Sequence, residues 1–203
     1  MARYTGPKEK IARRFGVALF GASKALELRN FPPGQHGARN TRRKLSDYGI
    51  ALAEKQKLRH TYGVLEKQFR RFFAEASRRK GVTGTILLQM LEQRLDNVVY
   101  RMGFANSRFA ARQMVGHGHV TVNGKRCNIA SAQIKAGDVV AVKSTARSQQ
   151  LANRFLDLTQ GVNSPDWMTV DRDKLTGTVN RSPEREEIDV FVNEQLVVEL
   201  YSR

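Results

Sequence analysis

The sequence is poor in the residues from which disulfides, thiolate metal sites and membrane spans are built. It has one cysteine, Cys127, so an internal disulfide is impossible, and without a CxxC pair a thiolate zinc site is not expected. No apolar run is long enough to cross a membrane, and no signal-peptide core follows Met1. We therefore expect no metal, no membrane contact and a reducing compartment.

The patterns of common catalytic sites are also missing. The sequence has no P-loop, no GxGxxG turn and no HExxH helix. His117 and His119 would share one face of a strand, but no third metal ligand lies near them. Ser107 is better explained as a helix N-cap than as a nucleophile. We predict no catalytic residue, no cofactor and no small-molecule substrate.

Acidic residues are few relative to basic ones. The chain has 35 Lys plus Arg against 19 Asp plus Glu, a net charge of +16 and a pI near 10.5. Residues 1–80 carry 20 basic and 6 acidic side chains, residues 81–150 carry 9 and 3, and residues 151–203 carry 6 and 10. This excess favours a polyanionic partner, nucleic acid ahead of an anionic membrane, bound mainly by the first two-thirds of the chain.

Hydrophobic periodicity predicts an α+β chain. Residues 1–45, rich in basic residues, glycine and proline, are typical of a basic arm that is either a disordered tail or, as we favour, becomes ordered on a polyanion. Helices are predicted from Ser46 onward, including one with an apolar stripe from Leu65 to Ala76. Residues 94–143 indicate two helices and then three strands, with a hairpin turn at Asn123-Gly124. Two further strands, at 167–171 and 176–181, and a helix at 193–202 follow.

The segment from Ser107 to Lys125 indicates a surface that binds phosphate. Ser107 would cap a helix whose free N–H groups and dipole attract anions. Arg108 lies in its first turn, and Arg112 lies one turn later on the same side. We expect Arg112 to be exposed, so that Arg112→Glu would weaken nucleic-acid binding and leave stability nearly unchanged.

RLDNVVYRMGFANSRFAARQMVGHGHVTVNG, residues 94–124, closely resembles the S4 RNA-binding domain. MARYTGPK, PPGQHG, LSDYG, EKQKLR, YGVLEKQFR and the terminal VVELYSR extend the resemblance to the bacterial-type ribosomal protein S4 (uS4) family over essentially the whole chain. Many members carry four cysteines of a zinc knuckle near the N-terminus. This chain has none there, so it resembles the zinc-free form and no metal site is transferred.

The resemblance implies an α+β fold in which an S4 module is inserted into a helical first domain. The module has two helices packed on a small, mainly antiparallel sheet. The expected parts are a basic N-terminal arm (1–45), a helical domain (46–93) completed by the C-terminal residues 184–203, and the S4 domain with its following strands (94–183).

The resemblance also implies the function of a cytoplasmic structural protein of the small ribosomal subunit. Members bind 16S rRNA directly, nucleate subunit assembly, border the path by which mRNA enters, and contribute to translational accuracy with protein S5. The implied partners are 16S rRNA, protein S5 and other small-subunit proteins, and mRNA.

The candidate RNA-binding residues are basic side chains of the first 80 positions together with the S4-like segment. They are Arg3, Lys8, Lys10, Arg13, Arg14, Arg39, Arg42, Arg43, Lys44, Lys55, Lys57, Arg59, Lys67, Arg70, Arg71, Ser107, Arg108, Arg112, His117 and Lys125. Recognition is expected to follow RNA shape more than base sequence.

Three alternative functions stay open at this point. An RNA-modifying enzyme could use an S4 module as an address, but it needs a separate catalytic domain, and residues 1–93 are too basic and too simply helical to be one. A translational regulator could use the same module. A DNA-binding regulator fits poorly, because strands follow the helices of 94–117 at once.

Overall fold

A computed structural model describes residues 4–39, 44–160 and 163–202 of the chain. In chain order, the helices of the described residues are α1 (Lys8–Phe15), α2 (Lys24–Leu28), α3 (Asp47–Thr61), α4 (Glu66–Arg78), α5 (Thr83–Glu92), α6 (Leu95–Arg101), α7 (Arg108–Gly116), α8 (Ala146–Leu158) and α9 (Glu194–Ser202). The strands are β1 (Val120–Val122), β2 (Lys125–Arg126), β3 (Val139–Val142), β4 (Met168–Asp171) and β5 (Thr176–Val179). The predicted α+β class is confirmed.

The chain forms two compact units. Unit 1 contains residues 1–84 and 190–203, and unit 2 contains residues 85–189. These units meet at 84/85 and 189/190. The domain boundaries at 93/94 and 183/184 stay a prediction.

Unit 1 is a set of helices in which the C-terminal helix α9 packs against α3. Its core includes Leu58 of α3, Phe69 of α4 and Val197 of α9, each with no exposed surface. The ring of Tyr201 in α9 stacks on that of Phe73 with centroids 4.5 Å apart. The predicted N-cap Ser46 is confirmed, since its side chain accepts a hydrogen bond from a backbone N–H of the first turn.

Two sequence-based interpretations of unit 1 need correction. The arm has more regular structure than its glycines and prolines suggested, because α1 and α2 form in it and Ile11 and Ala12 of α1 are buried. The sequence pattern predicts Leu65 as part of the buried stripe of a helix. Leu65 instead precedes α4, in extended backbone, and is 37% exposed.

Unit 2 is built on a five-stranded antiparallel sheet, counted over the described residues, with strand order β2-β1-β3-β5-β4. The predicted hairpin between β1 and β2 is confirmed. Its turn residues Asn123 and Gly124 have φ values of 49° and 77°, the left-handed pair that a type I′ turn requires. The Asn123 side chain also holds the next strand, since its Oδ1 accepts from the Val139 backbone N–H at 2.8 Å.

Helices α6 and α7 share one apolar core with the sheet. Their buried side chains are Leu95, Val98, Val99, Ala111, Met114 and Val115. Trp167, just before β4, lies in the same core and is 1% exposed. The core places the beginning of α7, with its candidate phosphate contacts, against the end of α6.

Helix α8 was not predicted from the sequence. It contacts β3, and its apolar side chains Leu151, Ala152, Phe155 and Leu156 pack on the core of unit 2. These four recur at helical spacing, so the pattern was available. Across the described ranges, no helix has the length and apolar character that crossing a membrane would need.

Candidate nucleic-acid interface

Unit 1 presents exposed basic side chains on α1 and α4. On α1, Lys8, Lys10 and Arg14 are exposed. Arg13 is half-buried and held inside the unit, because its Nε donates to the Arg29 carbonyl at 3.2 Å and its guanidinium lies 5.0 Å from the centroid of the Phe31 ring. Three of the four predicted contacts of this helix can therefore meet solvent directly.

On helix α4, basic and apolar side chains lie on different faces. Phe69 and Phe72 are buried, whereas Lys67, Arg70 and Arg71 are exposed. Lys67 and Arg71 are four residues apart, so they lie one above the other on the helix surface. This face can approach a phosphate backbone without uncovering the core.

The three predicted contacts of α3 are engaged within unit 1 instead. Lys55 Nζ donates to Glu66 Oε1 at 2.9 Å, and Arg59 Nη1 lies 3.9 Å from Glu66 Oε2. Lys57 is paired with Glu54. The three basic side chains are only 12%, 21% and 16% exposed in that order. From the sequence these three residues could not be distinguished from the exposed basic residues of the arm. In the structure they form ion pairs with carboxylates, and their contact with RNA stays a prediction.

Glu66 is the centre of this arrangement. Partial burial raises the pKa of Glu66, but hydrogen bonds from Lys55 and Tyr201 outweigh that effect and hold the pKa below its ordinary value. The Tyr201 hydroxyl donates to Glu66 Oε1 at 2.9 Å, and burial followed by this hydrogen bond raises the pKa of the Tyr201 phenol. Glu66 therefore ties α9 and α3 to the beginning of α4.

His60 is held neutral between basic side chains. Burial, and then the charges of Arg59 and Arg14, lower its pKa to about 4. At neutral pH it adds no charge to the basic face of α1.

In unit 2, Ser107 is confirmed as the N-cap of α7. Its side chain accepts from the Ala110 backbone N–H at 3.3 Å. Arg108, the first residue of α7, lies with its Cζ 4.7 Å from the centroid of the Tyr100 ring, and its side chain is 17% exposed. The cap and the partly exposed arginine agree with an anion-binding helix terminus.

The prediction that Arg112 is exposed is wrong. Arg112 is 8% exposed, and its Nη1 lies 3.9 Å from Oδ2 of Asp96, which is itself buried. Asp96 also accepts two hydrogen bonds from Arg94, at 3.0 and 2.7 Å. Arg112 faces α6, which packs against α7 and supplies the counter-charge of Asp96. A direct phosphate contact by Arg112 stays a prediction, whereas its surroundings indicate a structural role.

Glu92 is a second buried carboxylate beside this pair. It is 1% exposed and forms ion pairs with Arg101 and Arg108. Two ion-pair groups therefore lie around α6 and the beginning of α7, one of Asp96 with Arg94 and Arg112 and one of Glu92 with Arg101 and Arg108. Neither Glu92 nor Arg101 was among the predicted RNA-binding residues. The only available signal was the alternation of acidic and basic residues within 92–101.

The hairpin and the residues before it add further positive charge. Lys125, Arg126 and His117 are exposed. His119 is half-buried, and its Nδ1 lies 2.8 Å from Ser148 Oγ at the beginning of α8. Burial, followed by the charges of His117, Lys143 and Arg126, lowers the pKa of His119.

The remaining candidate RNA-binding residues lie next to, or within, the segments that the structure does not describe. Arg39 and Lys44 are exposed. Arg3, Arg42 and Arg43 lie outside the described residues. Exposed basic residues that the candidate list missed include Arg78, Arg79 and Lys80, visible as an RRK run, and Arg147 of the unpredicted α8. Within the described ranges, no group of three metal-ligating side chains is present.

Two known families match the sequence. Residues 3–92 match the family described as "Ribosomal protein S4/S9 N-terminal domain", and residues 93–140 match the "S4 domain". Three bacterial relatives, each named "Small ribosomal subunit protein uS4", align over the full length of both chains. They are those of Akkermansia muciniphila, 67% identical over 203 residues, Opitutus terrae, 53% identical over 203 residues, and Neisseria meningitidis, 54% identical over 208 residues.

Proposed function

The chain belongs to the uS4 family of small ribosomal subunit proteins, and from this premise we propose that both of its units bind phosphates of 16S rRNA. Membership makes it a structural constituent of the small subunit and not an enzyme. Its location is then that of the subunit, in the cytoplasm.

The observation that carries the proposal is the separation of exposed from paired basic residues on neighbouring helices of unit 1. On α3, Lys55 and Arg59 are partners of Glu66. On α4, Arg70 also lies 3.9 Å from Glu66, but Lys67 and Arg71 are exposed beside a buried phenylalanine face. Solubility alone does not require a helix face of one sign, whereas a polyphosphate ligand does.

The finer parts of the proposal follow the family. The protein binds 16S rRNA early and directly and nucleates assembly of its region of the subunit. Protein S5, other small-subunit proteins and the mRNA near its point of entrance are its further partners, and its contact with S5 contributes to translational accuracy. The contacts on unit 1 are the exposed residues of α1 and α4, and those on unit 2 are Ser107, Arg108, His117 and Lys125.

The test measures retention of 16S rRNA by the full chain on a filter over a range of salt concentrations. The wild type should show log K falling with log salt by roughly 0.7–0.9 for each phosphate that it neutralises. The double variant Lys67→Glu/Arg71→Glu should bind roughly 100-fold more weakly and reduce the slope by about 1.5.

The matched control reverses the same number of charges on unit 2, outside the proposed contacts. Arg154 and Lys174 are both exposed, and the Arg154→Glu/Lys174→Glu variant should lose much less affinity. Equal losses in the two double variants would mean that binding follows total charge and not the α4 face. A wild-type affinity that hardly changes with salt would refute the proposal.

A further inference from the structure

We propose that the buried carboxylate of Glu92 is a positioning residue, which presents Arg101 and Arg108 as a paired site for one phosphate group of the bound RNA. The inference rests on the proposed function and adds two residues to it, Glu92 and Arg101. All of the groups concerned belong to unit 2.

Glu92 orients Arg101 through two parallel hydrogen bonds. Arg101 Nε donates to Glu92 Oε2 and Arg101 Nη2 donates to Glu92 Oε1, both at 2.9 Å. This bidentate geometry fixes the plane of the guanidinium. The carboxylate is 1% exposed but the Arg101 side chain is 18% exposed, so the pair runs from the interior to the surface.

Asn97 and Tyr100 orient Arg108 beside it. Asn97 Nδ2 donates to the Glu92 backbone carbonyl at 3.0 Å and to Glu92 Oε2 at 2.7 Å, which leaves Oδ1 to accept from Arg108 Nε at 2.7 Å. The Tyr100 ring lies against the same guanidinium. Arg108 Nη2 is 3.8 Å from Glu92 Oε1, the oxygen that also accepts from Arg101 Nη2. The two guanidiniums therefore converge on one carboxylate oxygen.

The charge of the cluster favours an anion at this point. Glu92 is ion-paired with two guanidiniums, so these three side chains carry an excess of one positive charge. Arg94 and Arg112 are 0% and 8% exposed, whereas Arg101 and Arg108 reach the surface. Arg108 also begins α7, where the helix dipole is positive. A phosphate bound by two guanidiniums at a helix N-terminus balances this charge.

General electrostatics, without a positioning role, predicts the opposite response to neutralising Glu92. The Glu92→Gln variant gains one positive charge, so general electrostatics would tighten its binding to RNA. If Glu92 orients the two guanidiniums, the same variant should bind RNA more weakly, because an amide cannot accept both of the parallel hydrogen bonds from Arg101. The sign of the change separates the two explanations.

The experiment measures filter retention of 16S rRNA by the full-length variants against salt. Glu92→Gln should bind roughly 10-fold more weakly and lower the salt slope by about 0.7–0.9, the contribution of one phosphate. The control is Glu75→Gln, since Glu75 also pairs with two arginines, Arg78 and Arg79, but on the surface of unit 1. That variant carries the same charge change and should bind as tightly as the wild type or more tightly.

A second variant covers the case in which Glu92→Gln does not fold, as judged by circular dichroism. Arg101→Lys keeps the charge at a partly exposed position but loses the planar fork, and it should weaken binding roughly 5- to 10-fold. Its control, Arg154→Lys, makes the same exchange at an exposed position outside the proposed contacts and should change the affinity less than 2-fold. Binding by folded Glu92→Gln as tight as that of the wild type, or by Arg101→Lys as tight as that of its control, would overturn the positioning role. Wild-type chain that fails to retain the RNA would instead refute the proposed function.

Discussion

Replacing Arg112 with glutamate should destabilise unit 2 by several kcal/mol. Arg112 is 8% exposed and its Nη1 lies 3.9 Å from Asp96 Oδ2. The substitution removes a cation from a buried ion-pair group and places a second carboxylate beside Asp96. Because it reverses a charge next to an existing carboxylate, the effect should exceed that of deleting the side chain.

The magnitude follows from what remains around Asp96. Breaking a buried ion pair by removing one partner costs about 3–5 kcal/mol. Arg94 keeps its two hydrogen bonds to Asp96, so the neutral variant Arg112→Met, which also fills the space, should fall below that range, at about 1–2 kcal/mol. Arg112→Glu has no such compensation and should reach about 3–5 kcal/mol.

The assay uses the fluorescence of the single tryptophan. Trp167 is 1% exposed within the core that α7 helps to form, so its emission reports the unfolding of unit 2. Urea titrations of the wild type, Arg112→Met, Arg112→Glu and the exposed control Arg154→Glu give the four free energies of unfolding. The control should lie within about 0.5 kcal/mol of the wild type.

A destabilisation of less than about 1 kcal/mol by Arg112→Glu would refute the reasoning, because only an exposed arginine tolerates reversal at that cost. RNA binding by Arg112→Glu should be measured at a temperature at which the variant is folded. Loss of binding by unfolded protein would say nothing about a phosphate contact.

Two predictions concern unit 1. Tyr201→Phe removes the hydrogen bond to Glu66 and should lower the free energy of unfolding of the helical unit by about 1–2 kcal/mol, measured by circular dichroism in urea; an unchanged midpoint would contradict the role of Glu66 in holding the C-terminal helix. His60 has a folded pKa of about 4, below its unfolded value of 6.5, so its contribution to stability is full above pH 6.5 and is lost as the pH falls toward 4. The wild type should lose about 1–2 kcal/mol more than His60→Asn over that interval, after allowance for partial solvent exposure, and parallel pH profiles would contradict the depressed pKa.

Local features of the fold were predictable because their causes lie within a few residues. Ser46 and Ser107 cap helices through bonds to backbone groups three residues away. Asn123-Gly124 tolerates the positive φ values of a tight hairpin. The predictions for Leu65 and for the α8 segment were wrong or missing. Where a helix begins, and whether an apolar pattern packs on a core, depends on contacts with neighbouring elements.

The candidate site was less predictable than the fold. Arg108 and Arg112 have the same chemistry and lie one helical turn apart, yet one reaches the surface and the other is buried against Asp96. Lys55 and Lys67 have the same side chain and belong to consecutive helices, but of the two only Lys55 has Glu66 as a direct partner. Exposure of a long basic side chain depends on where the nearest carboxylate is held, which residue spacing does not determine.

The amino-acid sequence alone therefore determined the excess of positive charge, the helix caps, the hairpin and the family, because each is a property of composition or of short-range pattern. Only the tertiary structure decided which cations face solvent and which neutralise buried carboxylates. The packing of α7 against α6 brings Arg112 to Asp96 and Arg108 to Glu92, and the packing of α9 brings Tyr201 to Glu66 across 135 positions of the chain.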